Sequence, residues 1–308
     1  MIPDGETRAG YVTLAGRPNA GKSTLLNALI GEKLSIVTSK AQTTWQRVTG
    51  VDTRDGTQMI FLDTPGLLDP RGLFQRSMLG AALEALREAD VVLLVLDVSR
   101  PLDDSGRRAL ARATSESPAP VLAAVNKIDI ASPGEVAEQT AWAVESLGAR
   151  AFPVSARTGE GVGALRPALR ESLPVSPFLY PADQIAAAPV RFFVAELVRE
   201  TVFEKFRQEV PYAVFCQVEE FREDQDPVYI QVNVFVERGS QKRILVGSKG
   251  ASIKDLGRGA RTKIEAFLER PVYLDLWVKV LPGWRRKKSH LRRFGFRTPE
   301  ENEITIPS

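Results

Sequence analysis

One nine-residue stretch, residues 16–24, reads GRPNAGKST and constrains the fold more than any other part of the chain. An apolar run at residues 11–15 precedes it, and a helix-forming sequence at residues 25–30 follows it. The pattern therefore predicts a buried strand, a glycine-rich turn and a helix, which is the setting of a phosphate-binding loop. Gly16 and Gly21 let backbone N–H groups surround a phosphate chain, and the helix directs its positive dipole end to the same place.

The side chains of this loop suit a nucleotide bound with magnesium. We expect the Lys22 ammonium to reach the terminal phosphates and the Ser23 hydroxyl to bind the metal ion. A chance match in a surface turn is the alternative, and the flanking strand and helix patterns weigh against it. The predicted nucleotide-binding residues of the loop are Gly16, Asn19, Ala20, Gly21, Lys22, Ser23 and Thr24.

A second motif, Asp63-Thr64-Pro65-Gly66, follows the apolar run at residues 59–62. This position puts a carboxylate at the carboxyl edge of the predicted sheet, beside the phosphate-binding loop. Asp63 can hold magnesium through water, and the Gly66 N–H can meet a γ-phosphate. A bland turn is the default interpretation of these four residues alone, but their distance from the first motif favours the functional one.

A loop at residues 35–46 contains two neighbouring threonines, Thr43 and Thr44. A threonine here could cover the γ-phosphate and complete the magnesium shell. We predict that Thr44 does so and keep Thr43 as the alternative. The predicted metal ligands are therefore Ser23, Thr44 and Asp63.

A third motif, at residues 126–129, indicates which base is bound. The Asp129 carboxylate can accept two hydrogen bonds from guanine N1 and N2, a pairing that adenine cannot offer, and the Lys127 stem can lie over the ring. These features favour GTP over ATP. Ser155 and Ala156 follow the next strand and would offer a backbone N–H to guanine O6. The predicted base-binding residues are Asn126, Lys127, Asp129, Ser155 and Ala156.

Short apolar runs alternate with helical patterns up to about residue 172, which is typical of a mostly parallel sheet covered by helices. A short turn, Arg54-Asp55-Gly56, separates the second and third strands, so these two are expected to form an antiparallel hairpin at a sheet edge. Strands are predicted near residues 11–15, 46–52, 57–62, 91–97, 120–125 and 151–154.

The 308 residues suffice for two domains. Four prolines interrupt residues 174–189, so we predict a first domain at residues 1–173, a linker at 174–189 and a second domain with a basic tail at 190–308. The second domain has the pattern helix, strand, strand, short strand or turn, helix, strand.

Positive charge is concentrated late in the chain. Residues 238–297 contain 17 Lys and Arg against 4 Asp and Glu, although the whole chain carries only +3. Such a segment is an electrostatic footprint for a phosphate backbone, with a solvated charged face as the alternative. Inside it, a GxxG loop lets the backbone lie close to successive phosphates. The predicted RNA-binding residues are Gly247, Ser248, Lys249, Gly250, Lys254, Arg285, Arg286, Lys287 and Lys288.

Aromatic residues are interspersed with these late cations. Trp284, Phe294 and Phe296 suit stacking on bases, and packing of a terminal helix explains them equally well.

The motifs GRPNAGKST, KAQTTWQR, DTPGLL, NKID and SA, in this order, resemble the translation-factor-like class of P-loop GTPases, and their wording is similar to the Era family of bacterial ribosome-assembly GTPases. In the second domain, ILVGSKGASIKDLG and VYLDLWVKV resemble Era again and a bacterial-type KH domain. The resemblance implies an α/β P-loop GTPase domain, with a mixed, mostly parallel sheet and helices on both faces, followed by an α+β type II KH domain.

The same resemblance implies a GTP-hydrolysing switch, with GDP as product and magnesium as cofactor. It further implies that the KH domain binds the 3′ end of small-subunit 16S ribosomal RNA during late assembly and releases it after hydrolysis. A module whose nucleotide is structural, with negligible turnover, is one alternative. Another RNA-associated or membrane-associated regulatory GTPase is the second.

Leu67 follows the DTPG motif where Ras-like enzymes carry a glutamine that orients the attacking water. Leucine has no donor or acceptor, so we expect slow intrinsic turnover that relies on Lys22, Thr44, Gly66 and magnesium. In related GTPases the asparagine at the position of Asn19 helps to hold potassium, so potassium dependence is a hypothesis here. A purely structural capping role for Asn19 is the alternative.

The remaining sequence features concern compartment and partners. Cys216 is the only cysteine, which excludes an internal disulfide and favours a reducing compartment. Residues 1–10 do not have the pattern of a signal peptide, and the apolar run at residues 91–96 is too short to span a bilayer. We expect a soluble, cytoplasmic monomer that does not bind DNA, and peripheral contact with the inner face of the membrane stays open.

Overall fold

A computed structural model of the protein describes residues 6–38, 40, 42–67, 70–115 and 117–298. The contacts divide these residues into two compact units. The second unit is Ala188–His290, and the first contains the described residues on either side of it. The start of the segment in which no signal peptide was predicted, residues 1–5, lies outside the described residues.

The first unit is built on a six-stranded sheet in the order β2-β3-β1-β4-β5-β6. β2 and β3 pair antiparallel and the remaining strands pair parallel, so the predicted edge hairpin is confirmed. The strands are β1 (Arg8–Ala15), β2 (Val48–Arg54), β3 (Thr57–Asp63), β4 (Val91–Asp97), β5 (Val121–Asn126) and β6 (Arg150–Val154).

Helices connect these strands, as the alternating sequence pattern predicts. β3 is buried along its whole length and β4 at every position except its last, which requires cover on both faces of the sheet. The helices are α1 (Lys22–Ile30), α2 (Leu73–Arg87), α3 (Asp104–Ser115), α4 (Pro133–Leu147) and α5 (Val162–Ser172). The fold of the first unit is therefore the predicted α/β architecture, with the phosphate-binding loop between β1 and α1.

The proline-containing segment that was predicted as a linker bonds along the first unit as far as residue 187. The Val51 N–H donates to the Ile185 carbonyl at 2.9 Å, and the Ala187 N–H donates to the Thr49 carbonyl at 3.2 Å. These bonds cover the free edge of β2, which would otherwise expose unpaired backbone groups. Residues 174–187 thus belong to the structure of the first unit.

The second unit is an α+β fold with a three-stranded sheet in the order β7-β8-β9. β7 and β8 pair antiparallel, whereas β8 and β9 pair parallel. Apolar side chains of α6, α9 and the strands form one core. The elements are α6 (Val190–Lys205), α7 (Val210–Ala213), β7 (Phe215–Arg222), β8 (Val228–Val236), α8 (Gly239–Val246), α9 (Ala251–Leu268) and β9 (Val272–Val280).

One element of this unit differs from the prediction. The segment expected as a short strand or turn is helix α8. Its N-terminus is satisfied by the Gln241 side chain, whose Oε1 accepts the N–H groups of Glu237 and Arg238, each at 3.0 Å. Gln241 and Leu245, one turn apart, are the buried side chains of this short helix. Two buried positions are too few to show a helical period in the sequence.

The C-terminal end of the described chain, residues 291–298, is grouped with the first unit and is called the C-terminal strap below. It includes the end of α10 (Lys288–Arg293) and a turn at Gly295, whose φ is +81°. These residues were predicted to belong to the second domain, whereas their contacts group them with the first unit. Local pattern could not reveal this, because the partners of the strap lie more than 200 residues earlier.

No helix within the described residues is both long enough and apolar enough to cross a membrane.

Candidate functional site

A cavity of about 310 Å³ opens at the carboxyl end of β1. It collects residues from the phosphate-binding loop, from the loop that contains the two threonines, from the DTPG motif and from the 126–129 motif. The lining residues include Asn19, Lys22, Ser23, Thr24, Thr43, Thr44, Gly66 and Lys127. The cavity therefore brings together residues that the sequence assigned to phosphate and metal, with Lys127 from the set assigned to the base.

Three glycines allow the backbone segments around this cavity to approach one another closely. A Cβ on Gly16, whose φ is +146°, would stand 2.4 Å from the Val95 carbonyl oxygen. A Cβ on Gly21, whose φ is +97°, would stand 2.3 Å from Asn126 Nδ2. A Cβ on Gly66 would stand 2.5 Å from the Pro18 nitrogen. Every other residue type would force these segments apart.

Lys22 is buried in the phosphate-binding loop, and its Nζ donates to the carbonyls of Gly16 at 3.3 Å and Arg17 at 3.2 Å. Burial lowers the pKa of Lys22 to about 8, while the Asp63 carboxylate acts in the opposite direction. Two carbonyl groups solvate an ammonium poorly, so a phosphate chain in the cavity offers this side chain a stronger partner.

Three oxygen-bearing side chains meet beside Lys22. Ser23 Oγ donates to Asp63 Oδ2 at 2.7 Å, Thr44 Oγ1 donates to the same oxygen at 3.2 Å, and the two hydroxyls are 2.9 Å apart. Asp63 Oδ1 is buried and has no hydrogen-bond partner among the described residues. Burial raises the pKa of Asp63, and the nearby Lys22 charge and hydroxyl groups oppose this.

Such a set of hard oxygen donors, one of them an unsatisfied carboxylate oxygen, fits magnesium. A cation at this position would also favour the ionised form of the buried Asp63. In the part of the chain that the structure describes, no group of three or more His, Cys, Asp or Glu side chains could hold a metal ion. Phosphate oxygens and water would supply the rest of a magnesium shell. The Thr44 hydroxyl is thus in direct contact with Asp63.

Asn126 ties three loops of the base site together. Its Nδ2 donates to the Ala20 carbonyl at 2.8 Å, and its Oδ1 accepts the Ala156 N–H at 2.9 Å. Both bonds are buried. A backbone N–H of Ser155-Ala156 was predicted to lie near the base, but the Ala156 N–H donates to Asn126 Oδ1 in this structure.

Asp129 is held as a hydrogen-bond acceptor at the mouth of the base site. The Ser155 hydroxyl donates to its Oδ1 at 2.7 Å, and Arg157 Nε donates to its Oδ2 at 3.0 Å. The Ser155 hydrogen bond, followed by the Arg157 interactions, lowers the pKa of Asp129. The side chain is therefore an acceptor-only carboxylate at neutral pH, as recognition of guanine N1 and N2 requires.

Two residues of this site were missed by the sequence analysis. Arg157, whose side chain is 71% exposed, pairs with Asp129 Oδ2. Asp97 accepts from Lys127 Nζ at 2.5 Å and so fixes the lysine stem. Arg157 directly follows the SA dipeptide, and Asp97 ends β4 opposite Asn126, so motif position and sheet register are the signals that could have found them.

Asn19 and Leu67 are the two residues that bear on the missing water-orienting glutamine. Asn19 adopts a left-handed backbone conformation, with φ of +66°, and lines the cavity. Leu67 is buried in the core cluster formed with α2 and the sheet, and its N–H donates to the Gly16 carbonyl at 3.0 Å. The Leu67 side chain therefore serves packing and cannot orient water.

The GxxG loop lies between α8 and α9. Gly247 has φ of +71°, and a Cβ there would stand 2.2 Å from Ser252 Oγ, whereas Gly250 has φ of +78° and a Cβ there would make an ordinary contact of 3.9 Å with Ile253 Cγ2. Lys249 is also left-handed, with φ of +50°. Ser248, Lys249 and Lys254 are exposed. This geometry leaves the backbone and two cations accessible to a phosphate chain.

The four basic residues 285–288 differ in their contacts and exposure. Arg285 pairs with Glu237 and donates to the Tyr212 carbonyl at 3.2 Å, whereas Arg286, Lys287 and Lys288 are exposed. Trp284 is buried and its Nε1 donates to the Ala213 carbonyl at 3.1 Å. Phe294 and Phe296 are buried as well, so the packing interpretation is favoured for these three aromatic residues.

Two family models match the chain. The first, described as a 50S ribosome-binding GTPase, matches residues 11–127. The second, described as a KH domain, matches residues 209–285. Their order is the order of the two units.

Curated relatives share about two fifths of the sequence over nearly the whole length. The GTPase Era of Nitratidesulfovibrio vulgaris is 40% identical over 303 residues, covering 94% of this chain and 97% of the relative. The GTPase Era of Geobacter metallireducens is 40% identical over 301 residues, covering 96% and 100%.

Two solved structures are similar over the whole fold. An Era variant of Aquifex aeolicus bound to GDP and AlF4⁻ superposes with a TM-score of 0.88 at 36% identity, covering 94% of this chain and 99% of that one. A structure of Era with MgGDPNP and nucleotides 1506–1542 of 16S ribosomal RNA gives the same TM-score, identity and coverage.

Proposed function

This chain belongs to the Era family of GTPases, and on that premise we propose that it binds the 3′ end of 16S ribosomal RNA and acts in assembly of the small ribosomal subunit. It is a GTPase that converts GTP and water to GDP and phosphate with magnesium as cofactor. The single observation that carries the RNA proposal is the accessible GxxG loop of a KH domain inside the most basic part of the chain. A similar structure contains the same kind of RNA.

The distances at the site support the following residue roles in hydrolysis. Ser23, Thr44 and Asp63 would hold magnesium, which neutralises charge on the phosphate oxygens when bound. Lys22 exchanges its two carbonyl partners for phosphate oxygens, and the N–H groups of the phosphate-binding loop fix the chain. Asp129 selects guanine, and Asn126 keeps the base site aligned with the phosphate site.

The switch is a change in order of two loops. The γ-phosphate holds Thr44 and the segment at Gly66 in one arrangement, and its loss removes that constraint. RNA affinity then depends on nucleotide to the extent that the two states of these loops bind RNA differently. A structural nucleotide with negligible turnover is the competing function, and it requires hydrolysis that does not respond to RNA.

The test combines crosslinking with single-turnover hydrolysis. Crosslinking of the protein to total cellular RNA, followed by sequencing, is expected to recover the 3′ end of 16S RNA. An oligonucleotide of that sequence should change the rate of phosphate release, and a scrambled oligonucleotide serves as the matched control. Recovery of unrelated RNAs, or identical rates with both oligonucleotides, would contradict the proposal.

Asn19 carries a subsidiary proposal, that potassium at the phosphate-binding loop raises turnover in place of the missing glutamine. The support is its place in the cavity together with the burial of Leu67. Turnover should be faster in potassium chloride than in sodium chloride at equal ionic strength. Equal rates would leave Asn19 with a structural role.

We also propose that the protein acts in the cytoplasm as a monomer. The basic residues accompany a GxxG loop, which favours RNA over an anionic membrane surface. Vesicles that contain anionic lipid should lose the protein at moderate salt while the 16S oligonucleotide retains it. Retention on the vesicles at a salt concentration that releases the oligonucleotide would favour the membrane-associated alternative. Sedimentation equilibrium would reveal association of the chain with itself.

A further inference from the structure

The C-terminal strap shares a buried aromatic cluster with the loop that carries Thr44. Trp45, Phe74 and Phe296 are 4%, 9% and 6% exposed. The Phe296 ring meets the Phe74 ring edge to face, with centroids 5.2 Å apart at 83°, and Phe74 meets Trp45 in the same way at 5.1 Å and 81°. Such pairs stabilise a defined ring orientation beyond simple burial. The Trp45 ring is therefore fixed on one side by a chain of contacts that ends in the strap.

Polar contacts join the same two segments. Gln46 Nε2 donates to the Phe294 carbonyl at 2.7 Å, where the strap turns at Gly295. Trp45 Nε1 donates to the Gln42 carbonyl at 2.8 Å and closes a short loop across the two threonines. Thr44 thus lies inside the short loop closed by the Trp45–Gln42 hydrogen bond. Two residues later, the Gln46 side chain is hydrogen-bonded directly to the strap.

We propose that the C-terminal strap positions Thr44 for GTP hydrolysis, with Phe296 as the positioning residue. The inference rests on the proposed role of Thr44 at magnesium. Thr44 Oγ1 already lies 2.9 Å from Ser23 Oγ and 3.2 Å from Asp63 Oδ2, so the loop has the orientation that the metal site needs. Removal of the Phe296 ring takes away one of the contacts that hold Phe74 and, through Phe74, Trp45, and Thr44 then leaves this position for part of the time.

A positioning role predicts a selective defect. Thr44 is needed when magnesium and the γ-phosphate are present together, whereas GDP has no γ-phosphate for it to cover. Loss of the ring should therefore lower kcat and raise the magnesium concentration for half-maximal activity, with little effect on GDP affinity. A role in folding alone would lower GDP affinity and activity together.

The experiment compares Phe296→Ala with wild type in the full chain at saturating GTP. We expect roughly a tenfold fall in kcat and a shift of the magnesium midpoint to higher concentration, with GDP affinity within about twofold. Phe296→Tyr keeps the aromatic ring and should restore most of the activity. Phe178→Ala, which removes an exposed phenylalanine of the first unit, is the matched control and should leave kcat unchanged.

Gln46→Met keeps the chain length but removes the donor to the Phe294 carbonyl, and it replaces Phe296→Ala should that variant unfold. Unchanged kcat, or a parallel fall in kcat and GDP affinity, would overturn the inference. Thr44→Ala tests the proposed role of Thr44 separately from the proposed role of the strap. Full magnesium-dependent activity in Thr44→Ala contradicts the proposed role of Thr44, whereas a defect in Thr44→Ala but none in Phe296→Ala contradicts only the strap.

Discussion

Lys22 makes nucleotide binding sensitive to pH. Its pKa is about 8 in the free protein because of burial, and bound phosphates should raise it. Around pH 8 the Lys22 amine is about half protonated in the nucleotide-free protein and fully protonated in the nucleotide-bound protein. Nucleotide binding should therefore take up about half a proton. Calorimetry of GTP binding in two buffers of different ionisation enthalpy measures this uptake.

Lys22→Arg is the control for that measurement, because a guanidinium keeps its charge across this range and should abolish the uptake. Equal uptake in both proteins would contradict the assignment. The same shift acts on folding. Between pH 8 and 10.5 the unfolded chain binds more protons than the free folded protein, so the contribution of Lys22 to the free energy of unfolding rises with pH in that window.

Asp129 should decide between bases. Asp129→Asn replaces two acceptors by an amide, and GTP affinity is expected to fall about a hundredfold while affinity for xanthosine triphosphate rises. Competition between the two nucleotides measures the change. Arg157→Ala is the control, because it removes the donor to Asp129 Oδ2 but keeps the carboxylate, and it should keep the preference for guanine. An Asp129→Asn protein with unchanged GTP affinity would remove Asp129 from the base site.

The motif residues of the nucleotide site were predictable because each lies at a strand end, and parallel strands bring their carboxyl ends to one edge. The contacts that hold these residues in place were not predictable from the sequence. Arg157 and Asp97 carry no motif of their own, and their partners depend on sheet register and on a side-chain rotamer. Asn126 was predicted as part of the base pocket, but its two bonds to Ala20 and Ala156 became visible only in three dimensions.

At the scale of elements, the GxxG loop permits a sharp test. Gly250→Asp should weaken RNA binding by tenfold or more, because a carboxylate would repel the phosphate chain that passes there. The fold should tolerate the change, since a Cβ at this position would make only an ordinary contact with Ile253 and aspartate is among the residues that accept a positive φ. Fluorescence anisotropy with a labelled 16S oligonucleotide measures the loss.

Gly250→Asn is the matched control, because it has the same shape without the charge and should retain more affinity. GDP binding should be unchanged in both variants. Equal RNA affinity in wild type and Gly250→Asp would place the RNA elsewhere. Gly247 is less suitable, because a Cβ there would collide with Ser252 and disturb the start of α9.

Most elements followed from periodicity, and the exceptions share one cause. α8 shows only Gln241 and Leu245 to the core, too few positions for a helical period. In the strap, aromatic residues stand among basic residues, and this local composition is also typical of a segment that stacks on RNA bases. Tertiary contacts decided both cases, and contacts distant in sequence leave no local pattern.

At the scale of the whole molecule, the uneven charge distribution predicts a strong dependence of RNA binding on salt. Five exposed cations of the predicted surface, Lys249, Lys254, Arg286, Lys287 and Lys288, would give a slope of about −3.5 in a plot of log affinity against log salt. Affinity should then fall about a hundredfold between 50 and 200 mM salt. Titrations at four salt concentrations measure the slope.

The combined variant Arg286→Gln and Lys287→Gln should reduce that slope by about 1.4. Arg285→Gln is the comparison, because Arg285 is engaged with Glu237 and should change the slope less. GDP affinity, which belongs to the other unit, should not follow the slope in either variant. A slope near zero in the wild type would contradict an electrostatic RNA-binding surface.

The return of the chain to its first unit sets an order for synthesis. Residues up to 187 emerge first, but the strap that covers Trp45 and Phe74 is separated from them by Ala188–His290. During translation those aromatic rings lack their final cover until the entire RNA-binding unit has been made. A truncated chain that ends before residue 291 lacks Phe296 and its contact with Phe74. From the proposed role of the strap we therefore expect a fully formed GTPase only after the RNA-binding unit has been made.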